Sequence, residues 1–266
     1  MALMRFTILG CGSSGGVPRI GGLWGDCDPA NPKNRRTRCS MLVERIESEG
    51  VTRVLIDTSP DMREQLLRAS VTSLDAVIYT HSHADHVNGL DDLRQLVFLS
   101  RQRVPVWADM ATQQQLMARF GYAFAQPEGS SYPPICDLHT IRGPAIIDGA
   151  GGQITFDPFE VDHGDIDALG FRIGAVAYLP DVLKIPEPVW LSHLHNLDCW
   201  IVDALRRTPH PTHAHMALTL EWIERAAPRR SILTNMHIDM DHAAVESETP
   251  ENISAAYDGM VVEYEV

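Results

Sequence analysis

Short apolar runs with a two-residue rhythm alternate along the chain with stretches in which apolar residues return every three or four positions, which predicts strands and helices in turn. MRFTILG, CSMLVERI and RVLID read as early strands, LDAVIYT as the next, and VPVWAD as a strand between two helices. The helical stretches are SPDMREQLLRAS, with Ser59 as N-cap and Pro60 at the first position, then GLDDLRQLVFLS and MATQQQLMARFGYAF. Met110, Met117 and the aromatic residues of RFGYAF fall at helical spacing as core candidates, and residues 126–152, rich in Gly and Pro, read as an irregular excursion. The second half repeats the alternation, with QITFDPFEV, LGFRIGAVAYLPD, CWIVDAL, SILTNM and MVVEYEV as strands and LTLEWIERAA as a helix. Strands followed by helices in both halves predict sheet layers covered by helices, an α/β (α+β) architecture. A length of 266 residues is expected to form a single domain, 1–266.

Charge narrows the partners. Lys and Arg number 22 against 35 Asp and Glu, a net charge of -13, which argues against an extended nucleic-acid partner because phosphate backbones need a basic surface. A small anionic substrate stays open where local cations or metals meet it. The five cysteines, Cys11, Cys27, Cys39, Cys136 and Cys199, lack the spacing of a disulfide framework and fit a reducing cytoplasm. The first apolar run is too short for a signal peptide and no run of 18 apolar residues occurs, so a cytoplasmic protein without membrane contact is expected. A homodimer is the commonest assembly for such a chain.

The glycine-rich stretch GCGSSGGVPRIGG follows a strand but lacks the phosphate-loop lysine pattern, and Pro18 interrupts any following helix. It reads as a tight turn beside the active site, where glycines let backbone approach a ligand.

The chemistry concentrates in YTHSHADHVNGLDD, residues 79–92. His81 and His83 are two apart at the end of a strand, so both side chains point to one side and can share a metal. Asp85 and His86 follow in the turn and can reach a second metal. A mixed imidazole and carboxylate set suits Zn²⁺, Mn²⁺ or Fe²⁺.

H-x-H-x-D-H after a strand resembles the signature of the metallo-β-lactamase superfamily, which implies a four-layer αββα sandwich with a two-metal site. The resemblance implies that Asp57, ending RVLID, braces the histidine loop. It implies that His163 in FEVDHGD is the third histidine of the first metal and that Asp181 in AYLPD bridges both. LGCGSSGGVP, NRRTRCS, GLDDLR, HPTH and AYDGM resemble the cyclic-phosphate phosphodiesterase branch typified by the enzyme of the carbon-phosphorus lyase pathway. That implies two divalent ions, Zn²⁺ or Mn²⁺, and hydrolysis of a small cyclic phosphate or nucleotide-like phosphodiester. A metal-dependent thioesterase or a non-hydrolytic biosynthetic accessory protein is the alternative.

His213 in HPTHAH matches the branch's acid histidine, with His210 and His215 making a plain surface cluster the competing reading. Asp203, ending CWIVDAL, either orients that imidazole or merely starts a turn. Arg94 and the run Arg35, Arg36, Arg38 either meet phosphate or serve as salt-bridge partners, and His193 and His195 read as structural. Cys27 stands alone, with Cys39 twelve residues later, so no cysteine-rich structural zinc is expected. Where the branch carries its final histidine, this chain has Asn235. In extended backbone His237 would face the same side two residues on, and it is expected to be the seventh ligand, over an open position and over Asp239, Asp241 and His242, which read as helix-start residues.

Overall fold

The computed structural model describes residues 2–266. Its strands are β1 (Leu3–Gly10), β2 (Ser40–Glu47), β3 (Gly50–Ile56), β4 (Ala76–Ile78), β5 (Val104–Ala108), β6 (Cys136–Thr140), β7 (Ala145–Ile147), β8 (Ile154–Asp162), β9 (Asp167–Ile173), β10 (Val176–Leu179), β11 (Cys199–Asp203), β12 (Arg230–Thr234), β13 (Ile253–Ala255) and β14 (Met260–Glu265). Its α-helices are α1 (Met62–Arg68), α2 (Ala84–Val87), α3 (Leu93–Ser100), α4 (Met110–Phe124), α5 (Glu187–Ser192), α6 (Met216–Ala226) and α7 (His242–Glu248). The strands form two mixed seven-stranded sheets, in the orders β14-β1-β2-β3-β4-β5-β6 and β13-β12-β11-β10-β9-β8-β7.

The chain divides into two compact units. The first comprises the residues up to Leu9, Ser40–Thr155 and Val261–Val266; the second comprises Gly10–Cys39 and Phe156–Met260. In the first unit β2 and β3 form an antiparallel hairpin, Met41 opposite Ile56, and β3, β4, β5 and β6 then run parallel. Leu42, Leu55, Val77, Tyr79, Leu93, Val106 and Leu116 belong to one buried cluster between this sheet and its helices. Each fully buried Val, Leu or Ile stabilises the fold by roughly 1.5–3 kcal/mol.

In the second unit β8, β9 and β10 are antiparallel neighbours, and β10, β11, β12 and β13 run parallel. Parallel strands are covered on both faces, which explains why β10 (VAYL) and β11 (CWIVD) are buried at every position rather than alternating. Trp190 of α5 stacks edge-on to Trp200 of β11 and Trp222 of α6, tying both helices to the sheet.

Three local readings change. Helix α1 starts at Met62, not at Pro60, because Ser59 closes the turn before it: the Ser59 carbonyl accepts from Met62 N, and its Oγ from Asp61 N, at 3.2 Å. The excursion at 126–152 contains β6 and β7. Met110 and Met117 are exposed, since α4 buries the face carrying Thr112, Leu116 and Ala123.

Candidate metal centre

The first unit carries its chemistry just beyond the carboxyl ends of β3 and β4, where parallel strands present side chains for ligand binding. Asp57 follows β3 with φ 62, a left-handed conformation that costs an aspartate about 1–3 kcal/mol and persists only where neighbours hold it. They do: its fully buried carboxylate accepts from Thr80 N and Thr80 Oγ1, both at 2.8 Å, and from His86 Nδ1 at 2.7 Å. Burial raises the Asp57 pKa, against the lowering pull of His86 and the Thr80 hydrogen bonds.

This network sets imidazole tautomers. With the Thr80 hydroxyl hydrogen committed to Asp57, Thr80 Oγ1 accepts from His81 Nδ1 at 2.9 Å, which leaves the His81 Nε2 lone pair as a metal donor. His86 donates through Nδ1 to Asp57 and likewise keeps Nε2 as a donor. His81 Nε2 lies 3.1 Å from His83 Nδ1, and Asp85 Oδ2 lies 3.6 Å from His86 Nε2. Gly89 closes the loop by donating to the Thr58 carbonyl; a Cβ there would lie 2.2 Å from the Ser59 oxygen, so only glycine allows the approach.

The second unit places its chemistry beyond β10, β11 and β12. His163 donates from Nδ1 to the Thr212 carbonyl at 2.7 Å, again leaving Nε2 as a donor, 3.9 Å from Asp181 Oδ1. His213 Nδ1 lies 2.9 Å from Asp203 Oδ2 and 3.5 Å from Asp181 Oδ1. His163, Asp181 and His213 converge closely enough for one ion. Asp203 is fully buried, and burial pushes its pKa up to about 7 against the lowering influence of His213. His210 faces His213 with ring centroids 5.1 Å apart; burial, then His213 and Arg206, hold it down to about 4.

In both units, carboxylates stand beside imidazoles whose outer nitrogen is left free of its proton by a partner on the inner one. That donor chemistry fits divalent cations.

The extended backbone expected between Asn235 and His237 is not found. Asn235 adopts φ 59, so the backbone after β12 is not extended and the two side chains do not share a side. Asn235 turns inward, donating from Nδ2 to Asp181 Oδ1 at 3.3 Å and to Asp203 Oδ1 at 3.2 Å. His237 instead meets Arg19 through Nε2 and Asp239 through Nδ1, the latter at 3.1 Å. Asp241 caps α7 by accepting from Ala244 N at 2.9 Å, as its reading as a helix-start residue requires.

Other candidates find plain partners. Arg94 pairs with Asp91 at 2.7 Å, and His193 lies 3.4 Å from Asp157. Arg36 is buried, with its guanidinium on the Met240 carbonyl at 2.7 Å, Asn34 Oδ1 at 3.3 Å and Cys27 Sγ at 3.7 Å. Arg36 is therefore a structural tie for the segment after the glycine loop. Two anchors escaped sequence reading: Thr80, masked by its histidine neighbours, and Thr212, which acts through its backbone carbonyl.

The profile of the β-lactamase superfamily domain matches residues 52–238. An octanoyltransferase of Porphyromonas gingivalis is 32% identical over 264 residues, covering 97% of this chain and 51% of that protein, so the chain spans about half of its length. A crystal structure of a diphosphatase from the PhnP family is 36% identical, with a TM-score of 0.86 over 99% of this chain and 98% of its own. A metallo-β-lactamase fold protein from Bacillus subtilis, 16% identical, has a TM-score of 0.69 over 99% of this chain and 100% of its own, a likeness of fold alone. No helix among the described residues is long and apolar enough to cross a membrane. The chain belongs to the β-lactamase superfamily and has the fold of its metal-dependent hydrolases.

Proposed function

We propose that this chain is a binuclear metal-dependent phosphodiesterase acting on a small cyclic phosphate or nucleotide-like phosphodiester, its two units working as one domain over 1–266. The observation that carries the reading is the Asp203–His213 pair at 2.9 Å beside Asp181, an imidazole braced by a buried carboxylate next to a metal-donor carboxylate. The resemblance to a PhnP-family diphosphatase over nearly the whole chain supports phosphoryl chemistry.

In this reading His81, His83, Asp85, His86, His163 and Asp181 would supply the ligands of two divalent ions. Such ions, Zn²⁺ or Mn²⁺, would supply an acidified water and neutralise non-bridging phosphate oxygens.

The chain's own residues do the rest. Thr80, Asp57 and the Thr212 carbonyl fix the imidazoles of His81, His86 and His163 by their inner nitrogens. Asp203 holds His213 by Nδ1 and favours its protonated form, so that Nε2–H donates to the leaving alkoxide oxygen as its bond to phosphorus breaks. Asn235 links the Asp181 and Asp203 carboxylates through one amide nitrogen and keeps both in place.

The test is a panel of cyclic phosphates, thioesters and lactams offered to the metal-loaded chain. Cleavage of cyclic phosphates is expected. Thioester cleavage alone would favour the thioesterase alternative, and no turnover at all would favour an accessory protein.

A further inference from the structure

Parity divides the side chains of the first unit's sheet between its two faces. Val77, Val106, Ala108 and Cys136 belong to the buried cluster on the helix-covered side. Successive side chains of a strand alternate, so Ile78, Trp107 and His139 project from the opposite face. There Trp107 pairs with Ile78 of β4 on one side and with His139 of β6 on the other. The indole and the imidazole stack, with ring centroids 4.8 Å apart and planes 16° apart. Ile56 and Ile78 are fully buried on this face, whereas Trp107 and His139 are only half-buried. The cover therefore ends at β5, and since β6 is the edge strand, no strand of the sheet lies beyond the imidazole.

The same face leads to the histidine loop. Tyr79 packs into the helix-side cluster, so the alternation persists past the end of β4 and Thr80 follows on the face of Ile78, roughly 7 Å further along the chain. Thr80 is the residue whose Oγ1 orients His81, through Nδ1 at 2.9 Å. Tyr79 N donates to the Trp107 carbonyl at 2.9 Å, which fixes β5 beside the entry to that loop. Gln113 clamps the ends of β5 and β6 in register: its Nε2 donates to the carbonyls of Ala108 and His139 and to Thr140 Oγ1, each at 3.0 Å. The aromatic pair is thus held rigid by backbone contacts before any ligand arrives.

A cross-strand aromatic pair can serve the sheet alone, and then it gains most by being buried. This pair instead leaves ring surface open at the sheet edge, on the face that carries the anchor of the metal-donor histidines. We propose that the Trp107–His139 stack is the subsite for the base of a nucleotide substrate, the base extending the stack while the phosphodiester lies at the histidine loop. The inference rests on the phosphodiesterase reading and deepens it, because it makes the substrate a nucleotide rather than a sugar phosphate. Every base has a π-face, so the contact selects for a base without reading its hydrogen-bonding edge.

The experiment compares kcat/KM of the metal-loaded chain for adenosine 2′,3′-cyclic phosphate and for glycerol 1,2-cyclic phosphate, which presents the same five-membered ring without a base. Wild type should prefer the nucleotide by ~10- to 100-fold, chiefly through KM, the span that one stacked base contributes. Trp107→Leu and His139→Ala should each erase most of that preference. Trp107→Phe should keep most of it, and the contrast of Phe with Leu separates stacking from packing. An undiminished preference in either Trp107→Leu or His139→Ala, or no preference in wild type, overturns the proposal. Should neither ester turn over, the phosphodiesterase reading fails, and calorimetric titration of adenosine 5′-monophosphate and ribose 5-phosphate into the full chain decides the subsite. Tighter binding of the nucleotide that is lost in a folded His139→Ala upholds it. Equal binding of the two compounds, or a difference unchanged in that variant, overturns it.

Discussion

His213 Nδ1 lies 2.9 Å from Asp203 Oδ2, and that carboxylate, fully buried at the end of β11, also accepts from Val182 N at 3.2 Å. A histidine tied by its inner nitrogen has its outer nitrogen directed and its protonated form favoured, which is what proton donation to a leaving group requires. Asp203→Asn and His213→Ala should each lower kcat by ~10² to 10⁴ for a diester with an alkoxide leaving group, and far less for p-nitrophenolate. Steady-state kinetics on the two substrates check this. Equal losses would mean that the pair positions substrate instead.

Asp57 is the corresponding anchor in the first unit, where it accepts three hydrogen bonds in a left-handed backbone. Asp57→Asn presents an amide N–H to a site built of donors, and its cost should be about 1–3 kcal/mol in urea unfolding. It also frees His86 Nδ1, so metal affinity should fall by ~10- to 100-fold. Unchanged metal affinity would show that Asp57 serves the fold alone.

His237 spends its two ring nitrogens on Arg19 and Asp239. His237→Ala should therefore carry as many divalent ions per chain as wild type in elemental analysis. Loss of one ion would return His237 to the ligand set.

Asp241 caps α7 and accepts from Asp28 N and the Asn34 side chain as well as Ala244 N. Burial raises its pKa, but these hydrogen bonds outweigh it and the net shift is downward. A depressed folded-state pKa means stability present above the unfolded value of about 3.9 and lost as pH falls through the folded value. Asp241→Ala should cost ~1 kcal/mol near neutrality, and the deficit should shrink in strong acid. Urea midpoints for both chains at several pH values check it; a deficit independent of pH would contradict the assignment.

How far the sequence reveals this site depends on where the information resides. His81, His83, Asp85 and His86 are legible because four donors fall within six positions at a strand end, and Asp57, Asp181 and Asp203 because each ends an apolar run. His237 misleads because its placement assumes extended backbone, whereas Asn235 takes a positive φ that no residue pattern announces. Thr212 acts through a carbonyl and so leaves no side-chain signal. Strands β6 and β7 are hidden because they are short and set among glycines and prolines.

Two divalent ions per chain are expected to drive phosphodiester hydrolysis. Its most direct measurement is turnover of bis(p-nitrophenyl) phosphate by chelator-treated chain as Mn²⁺ or Zn²⁺ is added back. Background turnover is expected in the chelated chain, with recovery that saturates at two ions per chain. Turnover that survives complete chelation, or that saturates at one ion, would contradict it.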